Sequence, residues 1–539
     1  MLKRRVWIPI ASAVFAVALI AAVLFFYSLL KVDILITELL LLVAAVLVLF
    51  LYVAGVLLFY GLHRKRSAMR RVRRIIGVVL SLVITFGCGF GAILMRDVNK
   101  TKNSVIAKPE EQNRAIVGVY VMKDDAAQTV GEMGGYSFAV LGDLGAEKIN
   151  SNYAIGKINE SIGTSVNVLS FSGITDAASA LKNGEVQAMA VNKNYLMLLD
   201  DTESFSGFAD NLRLVGEIPV PNTATLENTP IVIASGSAQV EPEQTPEPTP
   251  EPTPEPTPAP VYGENETLVF YLNGLDKWET GVSNTHSDVN ILMFVNTNTK
   301  QVLLINTPRD FYMENPALRG GDKLTHCGIQ GVENSIAALE KFYGIDVDNY
   351  VRVNFEGFEK FVDAIGGITL DNPVQFKGDL PGYKPIIYPQ GEQHLNGIEA
   401  LVYAREREPF GDGDLGRGRN QLRVITAIIE QIKNRGASLM MDYPQILASI
   451  GDCFETDLSS EQISDLAKLA IRYISDWDIR SYGVIGDSGM RVTASGGSEP
   501  LFIIWPRQNS VNFGIKLMTM IQEDELITDD VMAEAPSPY

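Results

Sequence analysis

Four arginines, Arg405, Arg407, Arg417 and Arg419, alternate with acids and glycines in the stretch AREREPFGDGDLGRGRNQ, residues 404–421. Long charged side chains usually face water, so a solvated run is the ordinary explanation for such a pattern. The spacings argue for more. Arg405 and Arg407 are two apart, and an extended segment would aim both the same way. Arg417 and Gln421 are four apart, which puts them on one face of a helix start. Gly411, Gly413, Gly416 and Gly418 would let backbone approach a ligand closely.

Further acids and another arginine stand at the ends of apolar runs. Asp276 closes TLVFYLNGLD, Asp288 precedes VNILMFV, and Arg309 and Asp310 close VLLINTPRD. Strand ends on one rim of a sheet converge, so these positions can share a cleft. Carboxylates with water and phosphate oxygens are typical Mg²⁺ ligands, and arginine forks match phosphate oxygens bidentately. Phosphoryl transfer needs both, because developing charge must be neutralised and the groups aligned. A glycosidase pairs carboxylates but has no use for this many arginines. No Ser, His and acid stand at recognisable spacing, and Gly-x-Ser-x-Gly is absent. His286, His326 and His394 do not have the spacing of a zinc ligand set. A phosphate or pyrophosphate ligand is the expectation.

The elements that must position these residues read as α/β. TLVFYLNGLD is a strand, and VNILMFVNTNTKQVLLINTPRD is two strands about a polar NTNTK turn. ENSIAALEKFYGI and FEGFEKFVDAIGG read as amphipathic helices. In the second, Phe355, Phe358, Phe361 and Val362 share a face, and Gly366-Gly367 ends it. QLRVITAIIEQIKNR is a longer helix beginning after the arginine motif. The alternation argues for a central sheet covered by helices. Asp310 is expected to order the loop of Arg309, Asp363 to close a helix, and Arg319 and Arg352 to lie at the surface or core rim.

The chain of 539 residues is net −19, but unevenly so: residues 1–96 carry 12 Lys and Arg against 2 Asp and Glu, leaving the rest at −29. A body so acidic repels nucleic-acid phosphates, which excludes DNA and RNA as expected partners. Three apolar runs, 6–30, 34–62 and 75–95, are long enough to cross a bilayer core of about 30 Å. The first is too long for a secretory signal, lacks a small-residue cleavage site, and leads at once into another span. Lys3-Arg4-Arg5 and the basic loop 63–74 mark cytoplasmic ends. The N-terminus is then inside and everything after Met95 outside. With three cysteines there is no disulfide framework, and pairing of Cys327 with Cys453 is left open.

Residues 112–235 read as a small extracytoplasmic α/β domain, with strands in AIVGVYVM, YSFAVLGD and VQAMAV around the helix DAASALK. ALKNGEVQAMAVNKNYL (180–196) resembles the ligand-domain crossover of extracellular solute-binding proteins, with Gln187 where those carry an acid. Residues 236–262, rich in Glu-Pro-Thr-Pro, favour extended polyproline II at about 3.1 Å per residue and read as a spacer. The anchor is bounded at 1–98, the chemistry-bearing domain at 263–525, and 526–539 reads as a disordered tail.

Six segments, in order, resemble the LytR-CpsA-Psr family: NGLDKW (273–278), HSDVNILMFV (286–295), INTPRDFYM (305–313), DKLTHC (322–327), FVDAIGG (361–367) and YAREREPFGDGDLGRGRNQ (403–421). The resemblance implies an α-β-α domain with a central mixed sheet, held outside the membrane by N-terminal helices. It implies an Mg²⁺-dependent phosphotransferase that moves a polyprenyl-pyrophosphate-linked glycan, such as teichoic acid or capsule, onto peptidoglycan at the lipid bilayer. By it, Asp276 and Asp288 match the acids that hold Mg²⁺. Arg309, Arg405, Arg407 and Arg417 match the arginines around the pyrophosphate, and Lys323, Asp414 and Gln421 match polar residues of the substrate site. Three positions depart from the pattern: His286 and Trp278 stand where the family often has arginine, and Asn420 replaces the second arginine of R-x-x-R-Q. A pyrophosphatase, with water as acceptor, and a non-catalytic wall sensor acting through 112–235 are the alternatives.

Overall fold

The computed structural model describes residues 4–33, 35–59, 68–105, 115–142, 145–221, 266–275, 285–407, 413–438, 442, 446, 453–472 and 477–537. The Pro-rich spacer lies outside them, as does Asp276. Three helices lead the chain, α1 (Arg4–Val32), α2 (Thr37–Phe59) and α3 (Ala68–Val105). Each contains a span long and apolar enough to cross a membrane: Trp7–Val32, Thr37–Phe59 and Arg71–Asp97. Their leucine, valine and phenylalanine side chains point largely outward, as a lipid-facing surface requires.

A five-stranded sheet follows, built from β1 (Ile116–Met122), β2 (Ser137–Val140), β3 (Asn167–Ser170), β4 (Ala188–Asn192) and β5 (Leu212–Pro219) in the order β3-β2-β4-β1-β5. Two helices pack on it, α4 (Gly145–Ile162) and α5 (Ile174–Lys182). Strand β4 is buried throughout, because Ala188, Met189, Ala190 and Val191 have apolar clusters on both faces. Gln187 does not open into a cleft; it is exposed, and its Oε1 accepts the Ser137 backbone N–H at 3.0 Å.

The larger sheet contains β6 (Thr267–Leu275), β7 (Ser287–Asn296) and β8 (Gln301–Asn306). Next in the chain come a small ribbon, β9 (Tyr312–Asn315) with β10 (Gly320–Lys323), the helix α6 (Val332–Tyr343) and strand β11 (Asn349–Asn354). Helix α7 (Phe355–Ala364) leads to two further ribbons. These are β12 (Ile368–Asn372) paired with β15 (Gly391–Leu395), and β13 (Phe376–Gly378) paired with β14 (Ile386–Tyr388). Then follow α8 (Gly397–Arg405), α9 (Asp414–Arg435), β16 (Phe454–Thr456), α10 (Ser460–Arg472) and β17 (Asp478–Gly483). A hairpin of β18 (Gly486–Val492) and β19 (Pro500–Pro506) precedes α11 (Gln508–Gln522) and α12 (Asp529–Ala533). The six-stranded order is β16-β11-β6-β7-β8-β17, with β6/β11 and β8/β17 parallel and the other pairs antiparallel. The sheet is therefore mixed and the fold α/β.

Alternation along β6 sends Val269 and Tyr271 to a core shared with α6 and α11, and Leu268, Phe270 and Leu272 to the other face. That second face receives Leu422 and Ile425 of α9. Because helices cover both faces, every residue of β8 is buried.

Four expectations are corrected. Arg405 is not in an extended arm: Asn396 and Glu399 form a capping box that starts α8, and the helix runs through Arg405. Helix α9 begins at Asp414, inside the glycine-rich motif. Arg352 is 1% exposed, and its Nη1 donates to Glu455 Oε2 at 3.1 Å, a buried ion pair in place of a rim residue. Residues 526–537 are folded. Ile527 is fully buried, its N–H donates to Gln301 Oε1 at 2.9 Å, and α12 follows. Asp363, at the end of α7, accepts the Gly397 N–H at 2.7 Å, which ties that helix end to the start of α8. Cys88, Cys327 and Cys453 are all buried and free.

Candidate active site

Antiparallel register brings the C-terminal end of β6, the N-terminal end of β7 and the C-terminal end of β8 to one rim. Leu275 faces Ser287, and Asn306 faces Ile291. Asp288 is the second residue of β7, and Arg309 lies just beyond β8. Arg309 Nη1 donates to Asp288 Oδ1, and its Nε stands 3.6 Å from Asp310 Oδ2. Opposite them, the first turn of α9 supplies Asp414 and Arg417, which form an ion pair, with Arg407 Nε 4.0 Å from the same carboxylate.

A cavity of about 530 Å³ opens between this face of the sheet and helices α7, α8 and α9. Its polar walls include Asn273, Asp288, Arg405, Arg407, Arg417 and Gln421. Its apolar walls include Leu272, Met293 and Val351 from the sheet and Phe355, Phe358 and Phe361 from α7. The order along α9 defines the polarity. Arg417 and Gln421 come first, then Val424, Ile425, Ile428 and Ile429 on the same face, over about 18 Å of helix. The cavity thus holds charge where α9 begins and hydrocarbon surface further along it. The Arg405 guanidinium lies over the Phe355 ring, 4.3 Å from its centre, at the junction of the two regions.

One glycine of the motif serves packing. A β-carbon at Gly418 would lie 2.5 Å from Asn306 Oδ1, so a glycine there lets α9 close onto β8. Asn306 Nδ2 then donates to Gln421 Oε1 at 3.1 Å, which fixes the glutamine at the cavity wall. Gly413, with φ +55°, makes the turn into the helix.

The two described carboxylates of the site are pushed in opposite directions. Burial works against the Asp288 carboxylate, but Arg309 and Arg417 outweigh it and hold its pKa below the ordinary aspartate value. At Asp414 burial dominates over Arg417, and the pKa is raised. The neighbouring carboxylates Asp288 and Asp310, opposing burial, keep Arg309 cationic.

Not every expected residue faces the cavity. Lys323 is buried 3.1 Å from Asp201 Oδ2 and 3.4 Å from Asp310 Oδ1, because two carboxylates draw its ammonium away from the cavity. Arg309 acts on the cavity through Asp288, and Asp414 through Arg417. His286 does not restore the missing arginine charge. Burial, and then the His326 charge, lower its pKa to about 4, so it is neutral at pH 7. Nor does Arg419 replace the arginine missing at Asn420. It lines a second groove of about 540 Å³ on the other side of α9, with Asp371, Arg423 and Glu430.

Among the described residues no group of three or more His, Cys, Asp and Glu side chains is arranged to hold a metal. Asp288 is the one described acid on the cavity wall, beside arginines. That donor set fits Mg²⁺, which is bound through one or two carboxylates plus substrate phosphates, and does not fit a closed zinc site. A pairing missed in the sequence is that of Asp201 with Lys323 and His326. It joins segments more than a hundred residues apart, and no motif around LLDDTES signals it.

Residues 234–488 match the LytR_cpsA_psr family. Similar curated proteins include a polyisoprenyl-teichoic acid–peptidoglycan teichoic acid transferase TagU of Oceanobacillus iheyensis. It is 32% identical over 213 residues, which is 38% of this chain and 63% of that protein. The TagU of Enterococcus faecalis is 33% identical over 206 residues, covering 38% of this chain and 65% of that one. The chain thus spans slightly under two thirds of the length of these relatives. Among solved structures, B. subtilis TagV aligns over 49% of this chain and all of its own at 22% identity, with a TM-score of 0.40.

Proposed function

We propose, from the match of residues 234–488 to the LytR_cpsA_psr family, that the chain is a member of that family and a membrane-anchored, extracytoplasmic phosphotransferase. It moves a polyprenyl-pyrophosphate-linked anionic glycopolymer, of the teichoic acid or capsule class, onto peptidoglycan. The observation that carries this reading is the polarity of one cavity, with Arg405, Arg407 and Arg417 on walls that continue into phenylalanine and isoleucine. A lipid pyrophosphate has the same polarity, an anionic head on a hydrocarbon tail. Arginine forks suit the head, and an apolar wall suits the tail.

In the reaction a peptidoglycan sugar hydroxyl attacks the phosphorus that bears the glycan. A new P–O bond forms to the acceptor, and the bridging P–O bond to the lipid phosphate breaks. Polyprenyl phosphate leaves with the bonding pair. The lowered pKa of Asp288 suits it to holding charge, and the hydroxyl proton ends on the departing polyprenyl phosphate. Asp288, with Asp276, would hold Mg²⁺, which supplies charge neutralisation on the pyrophosphate. Arg309 keeps Asp288 ionised and aimed, while Arg405, Arg407 and Arg417 neutralise and orient the pyrophosphate.

The carboxylate and its arginine are the test. Arg309→Ala and Asp288→Ala each lower transfer of a lipid-linked glycan to peptidoglycan by about 100-fold or more, with an unchanged far-ultraviolet circular dichroism spectrum. Full transfer by both variants would contradict the mechanism. Equal release of polyprenyl phosphate with and without peptidoglycan would make the enzyme a pyrophosphatase.

A further inference from the structure

The module built from β1–β5 is seated against the domain that holds the cavity, and the seat is specific. Thr175 donates its N–H and its hydroxyl to the Gly496 carbonyl, at 3.0 and 2.7 Å. Gln330 Nε2 donates to the Tyr195 hydroxyl at 2.8 Å. At Gly173 a β-carbon would lie 2.2 Å from the Gly497 backbone, and at Gly145 only 1.9 Å from the Ala317 carbonyl oxygen, so the two backbones meet directly. Leu318 and Ile329 of the second domain complete the apolar core of the first.

At the centre of this seat a line of alternating charges runs from the module to the cavity wall. Asp201 accepts from Lys323 Nζ at 3.1 Å, Lys323 stands 3.4 Å from Asp310, and Asp310 stands 3.6 Å from Arg309 Nε. Arg309 then donates to Asp288, which lines the cavity. Lys323 has only 4% of its side chain exposed. A cation so buried requires its carboxylates, and loss of one redistributes the other. Without Asp201, the Lys323 charge falls on Asp310 alone, and Asp310 is the group that flanks Arg309. His326 adds to the same hold on Asp201: its Nε2 is 3.5 Å from Asp201 Oδ2, while its Nδ1 lies 2.6 Å from Asp322 Oδ1.

We infer that the β1–β5 module is a fixed part of the transferase site, and that its Asp201 is a positioning residue for Arg309, acting through Lys323 and Asp310. The inference rests on the transferase reading above and extends it. The polymer-transferring centre is built from two modules, and its arginine–aspartate pair keeps its aim only while the first module is seated. Asp201 does not line the cavity, so its loss is felt in turnover and not in donor binding, which Arg405, Arg407 and Arg417 retain.

The test uses the full chain in detergent or liposomes, with a lipid-linked glycan donor and peptidoglycan acceptor. Asp201→Asn lowers kcat about tenfold and leaves the donor KM unchanged, and Asp201→Glu restores most of the rate. Asp176→Asn is the control for seating. Asp176 accepts from the Ser498 N–H at 3.2 Å across the same interface but takes no part in the charge line. It therefore keeps wild-type kcat. A kcat for Asp201→Asn equal to wild type, in a preparation where Arg309→Ala is inactive, overturns the role of Asp201 and leaves the transferase reading standing. An equal loss in Asp176→Asn also overturns it, since docking alone would then set the rate. A wild-type chain that transfers nothing to peptidoglycan overturns both readings.

Discussion

Asp414 is buried beneath Arg407 and Arg417, and burial raises its pKa above the ordinary 3.8 in spite of both cations. It lies off the cavity wall and acts there by orienting Arg417. The sign is then fixed. As pH drops through the raised Asp414 value, the protonated acid loosens its hold on Arg417, and the donor KM rises. Asp414→Asn raises the donor KM about tenfold at neutral pH, roughly 1.4 kcal/mol, and removes that pH dependence. A donor KM equal to wild type in this variant would show that Arg417 is positioned without Asp414. At this scale the sequence was informative about residue types and silent about their partners. Arg405, Arg407, Arg417 and Gln421 line one cavity. The inward turn of Lys323 is set by Asp201, whose approach depends on a tertiary interface that no local pattern encodes.

The walls of the cavity are set by three helices, and their legibility differed. Helix α7 shows a 3.6-residue period, so Phe355, Phe358 and Phe361 read correctly as one face. Helix α8 did not, because the alternation of Arg and Glu at its end imitates an extended segment. Its real signal is Asn396 with Glu399 three residues later, a capping box. The start of α9 was hidden by Gly416 and Gly418, which weaken helix propensity; at Gly418 close packing against Asn306 requires a missing β-carbon. The element-level prediction concerns Ala404, which lies on α8 at the cavity wall. Ala404→Leu fills part of the space meant for the tail. It raises KM about tenfold for a long-chain lipid donor, roughly 1.4 kcal/mol, and has little effect on KM for a short-chain analogue. Equal KM values for the long donor in both proteins would place the tail elsewhere.

Among the described residues, the N-terminal helices touch the larger domain at α10 and β16. Lys468 Nζ donates to Asp33 at 2.8 Å, and Ser464 Oγ donates to the Val32 carbonyl at 3.4 Å, so the α1–α2 hinge touches α10. This contact suits an arrangement with the hinge outside beside the body and the basic loop 63–74 inside, as the positive charges imply. Strand β16, whose Phe454 lines the cavity, is in contact with α3. A lipid leaving the bilayer along the anchor would thus meet the apolar part of the cavity. Three spans, two α/β modules and a sheet covered by helices were legible because each rests on hydrophobic run length or periodicity. The seating of the first module, and the folding of the chain beyond 526, were not, because both depend on contacts between distant segments such as Gln301 with Ile527. The central claim is that one cavity takes a lipid pyrophosphate head-first toward Arg405, Arg407 and Arg417. A density map of the full chain bound to a polyprenyl pyrophosphate tests it most directly. The account predicts pyrophosphate oxygens within hydrogen-bonding distance of these arginines, with the prenyl chain running past Phe358 toward Ile428. A pyrophosphate bound away from these arginines, or a prenyl chain outside the cavity, would contradict it.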